Sequence, residues 1–558
     1  MAHLIEINHK ALKMKNIYLK SIMLKTGLVL VLLALFTTSC QKNLLDKQPL
    51  SSISDATFWK TAADATLALN GVYDTGAGFT GYNFWCGTSL VNLDLMAGDG
   101  SEKESIPDNF TNGTLNSSYS YVGAYYSQAY AQIAKCNNFL DHIGAITMDA
   151  TAKNIMIGEV RTIRAYDYFN LALYFGDVPL VQHLLTVDQA NSVTRTAKAD
   201  VWAFCESELK AASAVLPASV PDAQNGHMTA AAALAILGRL QMAEKKWTDA
   251  AVSYKAIMDF NYYIIDPRYR ELFLNAGELS HENIMAMQYI KDTYNHSLFQ
   301  YLTPETWSGW HQYSPFNELV KDFECTDGKT IDQSPLYDKN NPYNNRDPRL
   351  DLTVMISDRT VFRGKTYSAK PGTNLPDRLD EYPGIWSGYA IYKFLEEDPT
   401  LGSVSNDGNN FTIIRYAEVL LSYLESELEA GVPINQTLLD ATINKVRGRA
   451  AINMPPVTTT DPTALRTIIR RERHIEFAFE GLRYYDCLRW GIIGTENNKQ
   501  FTGMKLTNTP ATYTAFPVDA DGYYIYKKRS FVIGKNELWP IPQSERDLNK
   551  NLTQNPGY

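Results

Sequence analysis

The chain has few cysteines for its 558 residues, six in all at positions 40, 86, 136, 205, 325 and 487, and none forms a CxxC pair. Neither a zinc site nor a full disulfide framework is indicated. The apolar run at 28–36 is about half of the roughly 18 residues that a membrane span needs. Basic clusters are missing after residue 39. Without the five Lys and one Glu of residues 1–39, 47 basic side chains face 60 acidic ones, a net charge of −13. A surface of that sign has no general attraction for polyanions and argues against nucleic acid as a partner. The nine histidines show no HExxH, and no serine sits in a GxSxG elbow. Glu396, Glu397 and Asp398 are adjacent carboxylates, and neighbours in sequence do not converge on one bond as a glycosidase pair must. These absences argue against an enzyme, and no metal or cofactor is expected. No Gly/Ser-rich or Pro-rich linker divides the chain, so residues 53–558 are expected to form one large domain, with parts at about 53–265 and 266–558.

The N-terminus is richer in signal. Lys10, Lys13, Lys15, Lys20 and Lys25, with Glu6 as the single acid, precede the run 28–36, which is followed by Thr37, Thr38, Ser39 and Cys40. A positive region, a short apolar core and small residues make an export signal over 1–39. The cysteine at its end points to a lipoprotein cleavage site with Cys40 acylated and 40–52 left as a tether. Several acyl chains on one residue hold a protein firmly in a membrane, whereas a single chain is marginal. Thr37 stands where lipoprotein signals usually carry Leu. Ordinary signal peptidase, leaving a free thiol, is the alternative. Met14, followed by Lys15, is a more natural start than Met1.

Apolar residues at three- and four-residue spacing predict helices over 54–74, with Ser54 and Asp55 as candidate caps, and over 119–142, 157–175 and 200–216. Between 230 and 267, Leu237, Gly238, Gln241, Ala250 and Tyr254 come close to tetratricopeptide spacing, in which small residues let two antiparallel helices approach. An alanine-rich hairpin is the plainer alternative. Residues 265–410 are loop-rich, and helices are expected again at 414–430, 438–450 and through the charged segment 462–490. In the last, Glu476 with Arg473, and Arg483 with Glu480 and Asp486, are expected as helical ion pairs. Residues 512–518 and 523–527 read as a β-hairpin around 519–522. Gly76, Gly78 and Gly81 follow a helix rather than a strand, which makes their GxGxxG a loop. The chain reads as mainly α with small strands.

Aromatic residues are plentiful, with 34 Tyr and 9 Trp, and offer flat apolar faces with polar tips suited to sugar rings. Trp307, Trp310 and Tyr313, with His311 and Gln312, lie in the proline-bounded segment 303–315. They are the first choice for a ligand surface, with loop packing as the alternative. Trp85, Tyr82, Asn92 and Asp94 form a second aromatic and polar cluster, for which packing is the stronger competitor.

Three segments, RTIRAYDYFNLALYFGDVPL at 161–180, RRERHIEFAFEGLRYYDCLRWG at 470–491 and LWPIPQSERDLNKNLTQNPGY at 538–558, together resemble the SusD/RagB family of outer-membrane nutrient-uptake lipoproteins. Leu482 stands where His is common in that family and Cys487 where Leu is common. The resemblance implies a tetratricopeptide-type helical hairpin scaffold beneath a loop-rich ligand face, with a few short β-hairpins. It implies surface capture of an oligosaccharide or polysaccharide, and a TonB-dependent β-barrel transporter (SusC-like) as partner. Peptide or other nutrient binding on the same scaffold, or a surface glycan hydrolase, are the rival functions.

Overall fold

The computed structural model describes residues 14, 15, 23, 58–76, 82–400, 404–506 and 516–558. The rest of the export signal, beyond residues 14, 15 and 23, and Cys40, the 40–52 arm, Ser54, Asp55, Gly78 and Gly81 lie outside the described residues. Residues 1–60 and 61–558 are separate units. In the first, the described Met14, Lys15 and Met23 are helical. No helix among the described residues is long and apolar enough to cross a membrane.

The second unit begins on a capping box. Thr61 accepts from Asp64 N, and the Asp64 carboxylate accepts from Thr61 N, which starts helix α1 at Ala62–Tyr73. Helices α2 (Ser120–Ile143), α3 (Ala150–Phe175), α4 (Lys198–Ser213), α5 (Ala230–Ala243) and α6 (Trp247–Asp259) follow. After the loop-rich segment come α7 (Tyr416–Glu429) and α8 (Pro462–Glu476). Each packs on the next, so α1 to α8 form one continuous helical stack. The predicted helix at 157–175 starts seven residues earlier because the Asp149 carboxylate accepts from Ala152 N at 2.8 Å. In the tetratricopeptide-like pair α5 and α6, a Cβ added at Gly238 would lie 2.5–2.9 Å from the Tyr254 ring. The approach inferred from Gly238 and Tyr254 is real, and it leaves no room for a side chain.

Two predicted helices are broken. Residues 438–450 form Gln436–Ala441 and Ile443–Arg447, separated at Thr442, whose φ is −126° and ψ −100°. The charged segment stops at Glu476 and restarts as α9, Arg483–Arg489, with Phe479 and Gly481 at φ 68° and 85°. The reason is a buried acid: Asp94 accepts from Gly481 N at 2.9 Å and Arg483 N at 2.7 Å, and a continuing helix would have used those donors itself. The expected local ion pairs are accordingly replaced by distant ones. Arg473 meets Asp486 at 2.8 Å and Arg483 meets Glu496 at 3.1 Å. Glu476 is the hub of a buried network, taking Arg415 and Arg349 at 2.7 Å and Arg449 at 3.1 Å. Burial opposes ionisation of Glu476, but the three guanidiniums outweigh it and hold the carboxyl well below the usual range.

Strands are short and paired in twos. β1 (Gly100–Glu102) lies antiparallel to β3 (Tyr313–Pro315), and β2 (Asn283–Met287) to β6 (Phe411–Arg415). β4 (Val354–Ile356) pairs with β5 (Tyr389–Ile391), and β7 (Gln500–Lys505) with β8 (Tyr523–Lys528). The predicted hairpin keeps its turn, where Asp519 accepts from Asp521 N at 3.0 Å and Tyr523 N at 2.9 Å. Its partner strand differs: β8 pairs with 500–505, residues 512–515 lie outside the described residues, and Val518 bridges Tyr524. Phe501 explains the preference, since it stacks on Phe316 at 4.3 Å and gives β7 a face in the core.

Candidate ligand-binding site

The pair β1 and β3 sets the base of the site, with Glu102 opposite Tyr313. The loop leading into β3 is pinned from below by Asp377. Its carboxylate accepts from Glu305 N at 2.8 Å, Thr306 N at 2.9 Å and Thr306 Oγ1 at 2.6 Å, and meets His311 Nδ1 at 2.8 Å. Burial works against the charge of Asp377, but His311 and Thr306 outweigh it and lower its pKa. His311 in turn stacks on Trp386 at 4.5 Å, and Trp386 Nε1 donates to the His311 carbonyl at 3.0 Å. A Cβ at Gly309 would sit 2.0 Å from the Thr303 carbonyl oxygen. The loop therefore has one tight fold, and it leaves Trp310 39% exposed.

Trp310 is one end of an arc of rings. Tyr301 lies 5.1 Å from it, and the Tyr82 hydroxyl interacts with those of Tyr301 and Tyr121. The Tyr82 and Tyr121 rings meet edge to face at 4.5 Å, and Tyr119 is 5.3 Å from Tyr121. All four tyrosines are half-buried, so each keeps some ring surface open to solvent. Burial pushes the Tyr119 hydroxyl up to about 12 and raises Tyr82, Tyr121 and Tyr301 as well, which keeps these groups as neutral hydrogen-bonding phenols. Glu102 accepts from Ile106 N at 3.1 Å, and burial pushes its carboxyl up to about 7.

Of the residues singled out in the sequence, Trp310 and Tyr82 belong to this arc. Trp307 is half-buried with its ring edge on Phe362 at 5.3 Å. The remaining six are scaffold. His311, Gln312 and Tyr313 are buried, and the Tyr313 hydroxyl faces the Thr88 carbonyl at 3.4 Å. Trp85 is 2% exposed, donates from Nε1 to Asp167 at 2.9 Å and meets Tyr166 at 4.6 Å. Asn92 and Asp94 are buried too, the latter serving the bend at Gly481. All six are buried, with their rings and polar atoms in the packing. Sequence reasoning missed Tyr119, Tyr121 and Tyr301. The first two carried a signal, since they alternate with Ser118 and Ser120 just where helix α2 begins. Among the described residues no group of three or more His, Cys, Asp or Glu is arranged to hold a metal ion.

Residues 281–558 match the SusD family, and residues 44–242 match a family described as starch-binding, associating with outer membrane. A crystallised SusD-like carbohydrate-binding protein from Bacteroides fragilis is 33% identical, with 89% of this chain and 100% of that one covered and a TM-score of 0.84. SusD-like protein P2 of Formosa agariphila is 25% identical, over 96% of this chain and all of its own. Surface glycan-binding protein A from Bacteroides fluxus shares the fold at 18% identity, with a TM-score of 0.67 over 89% of this chain and all of its own. With both halves matched and one relative this close along its entire length, the chain belongs to the SusD family, whose SusD-like members are glycan-binding proteins that associate with the outer membrane.

Proposed function

We propose that this protein captures an oligosaccharide or polysaccharide on the arc formed by Tyr82, Tyr119, Tyr121, Tyr301 and Trp310, and delivers it to a TonB-dependent, SusC-like β-barrel. The observation that carries this reading is the run of partly exposed rings packed edge to face or tilted against one another. Sugar rings present C–H faces that stack on aromatic planes, and their hydroxyls pair with phenols and carboxylates. No bond is made or broken in such a cycle. A lipid on Cys40 holds the protein to the outer membrane, facing the exterior, and residues 40–52 serve as the arm on which the body moves.

Trp310→Ala and Tyr301→Ala, singly and together, are the test. Titrated with a panel of glycans and peptides, each variant should bind the cognate glycan more weakly, by tenfold or more for the pair. Folded variants that bind as tightly as the parent would refute the site. Peptide binding without glycan binding would instead favour the rival nutrient class, and product release from a polymer by the purified protein would favour a hydrolase. Cys40→Ser should move the protein out of the membrane fraction.

A further inference from the structure

Away from the arc, three elements meet at one buried carboxylate. Glu159 on α3 is 4% exposed, and its Oε2 accepts from the hydroxyl of Tyr73, the last residue of α1. The same oxygen lies 2.8 Å from Nδ1 of His227, three residues before α5. Met228 N donates to the Tyr73 hydroxyl at 2.7 Å. A carboxylate only accepts, so the Nδ1 proton is fixed on the Glu159 side and Nε2 is the free end of the ring. Nε2 has no hydrogen-bond partner among the described residues. The bond to Glu159 raises the His227 pKa, with burial opposing it. Nε2 offers a lone pair when the ring is neutral and an N–H when it is charged.

His227 stands on the wall of a cavity of about 340 Å³, none of whose lining residues belongs to the arc. Ile163, Met228 and Met287 give it apolar surface, and Asn225, Gln288 and Tyr294 add amide and hydroxyl groups. One wall is held firmly. A Cβ at Gly226, whose φ is 99°, would lie 2.5 Å from Gln288 Cγ, and Asn225 Nδ2 donates to the Glu278 carbonyl at 3.2 Å, which seats the loop before α5 against the end of β2. The charged side chains of the lining are already paired, Asp74 with Lys135 at 3.2 Å and His227 with Glu159. An ionic ligand would lose water here without gaining an opposite charge, and a purely apolar one would leave the imidazole and the amides unpaired. A neutral ring that carries hydroxyls meets both conditions. Its C–H face covers the methionines, and a hydroxyl can donate to Nε2 or accept from it. The volume is at the small end of the roughly 300–1,000 Å³ of small-molecule sites, enough for about one or two sugar units and not for a polymer.

We propose that this cavity is a second binding site, separate from the arc, for a neutral mono- or disaccharide, with His227 Nε2 as its hydrogen-bonding anchor. The test uses full-length protein in detergent that carries Trp310→Ala and Tyr301→Ala, so that the arc is disabled. It is titrated calorimetrically with glucose, mannose, galactose, xylose, maltose, cellobiose and lactose, and separately with leucine and glycyl-leucine. At least one of the sugars should bind. Adding His227→Asn leaves an amide that can donate to Glu159 in place of Nδ1 and removes Nε2, and it should weaken that sugar by about tenfold or more. Asn225→Trp puts an indole at an exposed position of the lining and should weaken it at least as much. No sugar bound by the folded arc variant, or a sugar whose affinity neither folded addition lowers, would overturn the proposal. Leucine or glycyl-leucine bound in place of any sugar would overturn it as well, by assigning the cavity to amino acids or peptides. Because the arc is disabled throughout, none of these outcomes depends on whether the arc captures glycan.

Discussion

Two tryptophans show how differently one residue type is used. Trp310 is 39% exposed at the end of the arc, whereas Trp85 is 2% exposed with its indole N–H bonded to Asp167. Both stand in loop-like sequence with polar neighbours, and both were candidates from composition, with packing the stronger competitor at Trp85. What separates them is Asp167, 82 positions away on α3, a partner that no local pattern reveals. The structure makes opposite predictions for them. Trp85→Ala removes a buried ring and leaves the carboxylate of Asp167 without its donor, and should destabilise the fold by about 3–5 kcal/mol. Trp310→Ala removes a rim ring, and should change stability by less than about 1 kcal/mol while weakening glycan binding. Denaturant unfolding of the two variants checks the contrast, and equal losses would contradict the placement of both residues.

Helix periodicity was legible wherever packing is between neighbours in the stack. The pair α5 and α6 is the clearest case, because Gly238 and Tyr254 are 16 positions apart in the chain and the small residue is needed for their approach. Gly238→Val should drive two methyl groups into the Tyr254 ring and cost about 1–3 kcal/mol by overpacking, read as a lower thermal midpoint. Tyr254→Phe, which keeps the ring, should not relieve it. Periodicity failed where a distant acid commands the backbone. The segment 462–490 has the charge spacing of one long helix, yet Asp94 takes the N–H groups of Gly481 and Arg483 and ends it. The site was half legible for a similar reason. Proline and tryptophan marked the 303–315 loop, but Tyr119, Tyr121 and Tyr301 join it only through ring contacts, Tyr301 with Trp310, and Tyr82 with Tyr121 and Tyr121 with Tyr119, that no local pattern reveals.

Across the whole molecule, the helical stack and the loop-rich segment are joined by buried charge. Glu476 ends α8 and receives Arg349, Arg415 and Arg449 from three separate stretches of chain. Glu476→Gln would leave these guanidiniums with less negative charge than they were buried to meet, and should cost about 3–5 kcal/mol. His474, two residues earlier, is a pH-sensitive group with acidic partners of its own. Burial and Arg483 push its pKa down, but Asp99 at 2.8 Å and Asp322 at 2.7 Å outweigh them and hold the imidazole at about 9. In the unfolded chain it returns to about 6.5. The imidazolium therefore contributes its full stabilisation below pH 6.5, and that contribution fades as pH rises from 6.5 through 9. For a shift of this size it amounts to about 3 kcal/mol. Lys198 and Lys393, both lowered from 10.5 to about 8 by burial, act on stability between those values, overlapping the upper part of this window with the opposite sign. A single pH curve would mix the three. The difference in unfolding free energy between the parent and His474→Gln removes the lysine contributions, which both proteins share, and should narrow by about 3 kcal/mol between pH 6 and pH 9.5. A gap that stays constant over that range would mean that His474 is neutral in the fold and that Asp99 and Asp322 do not hold its proton.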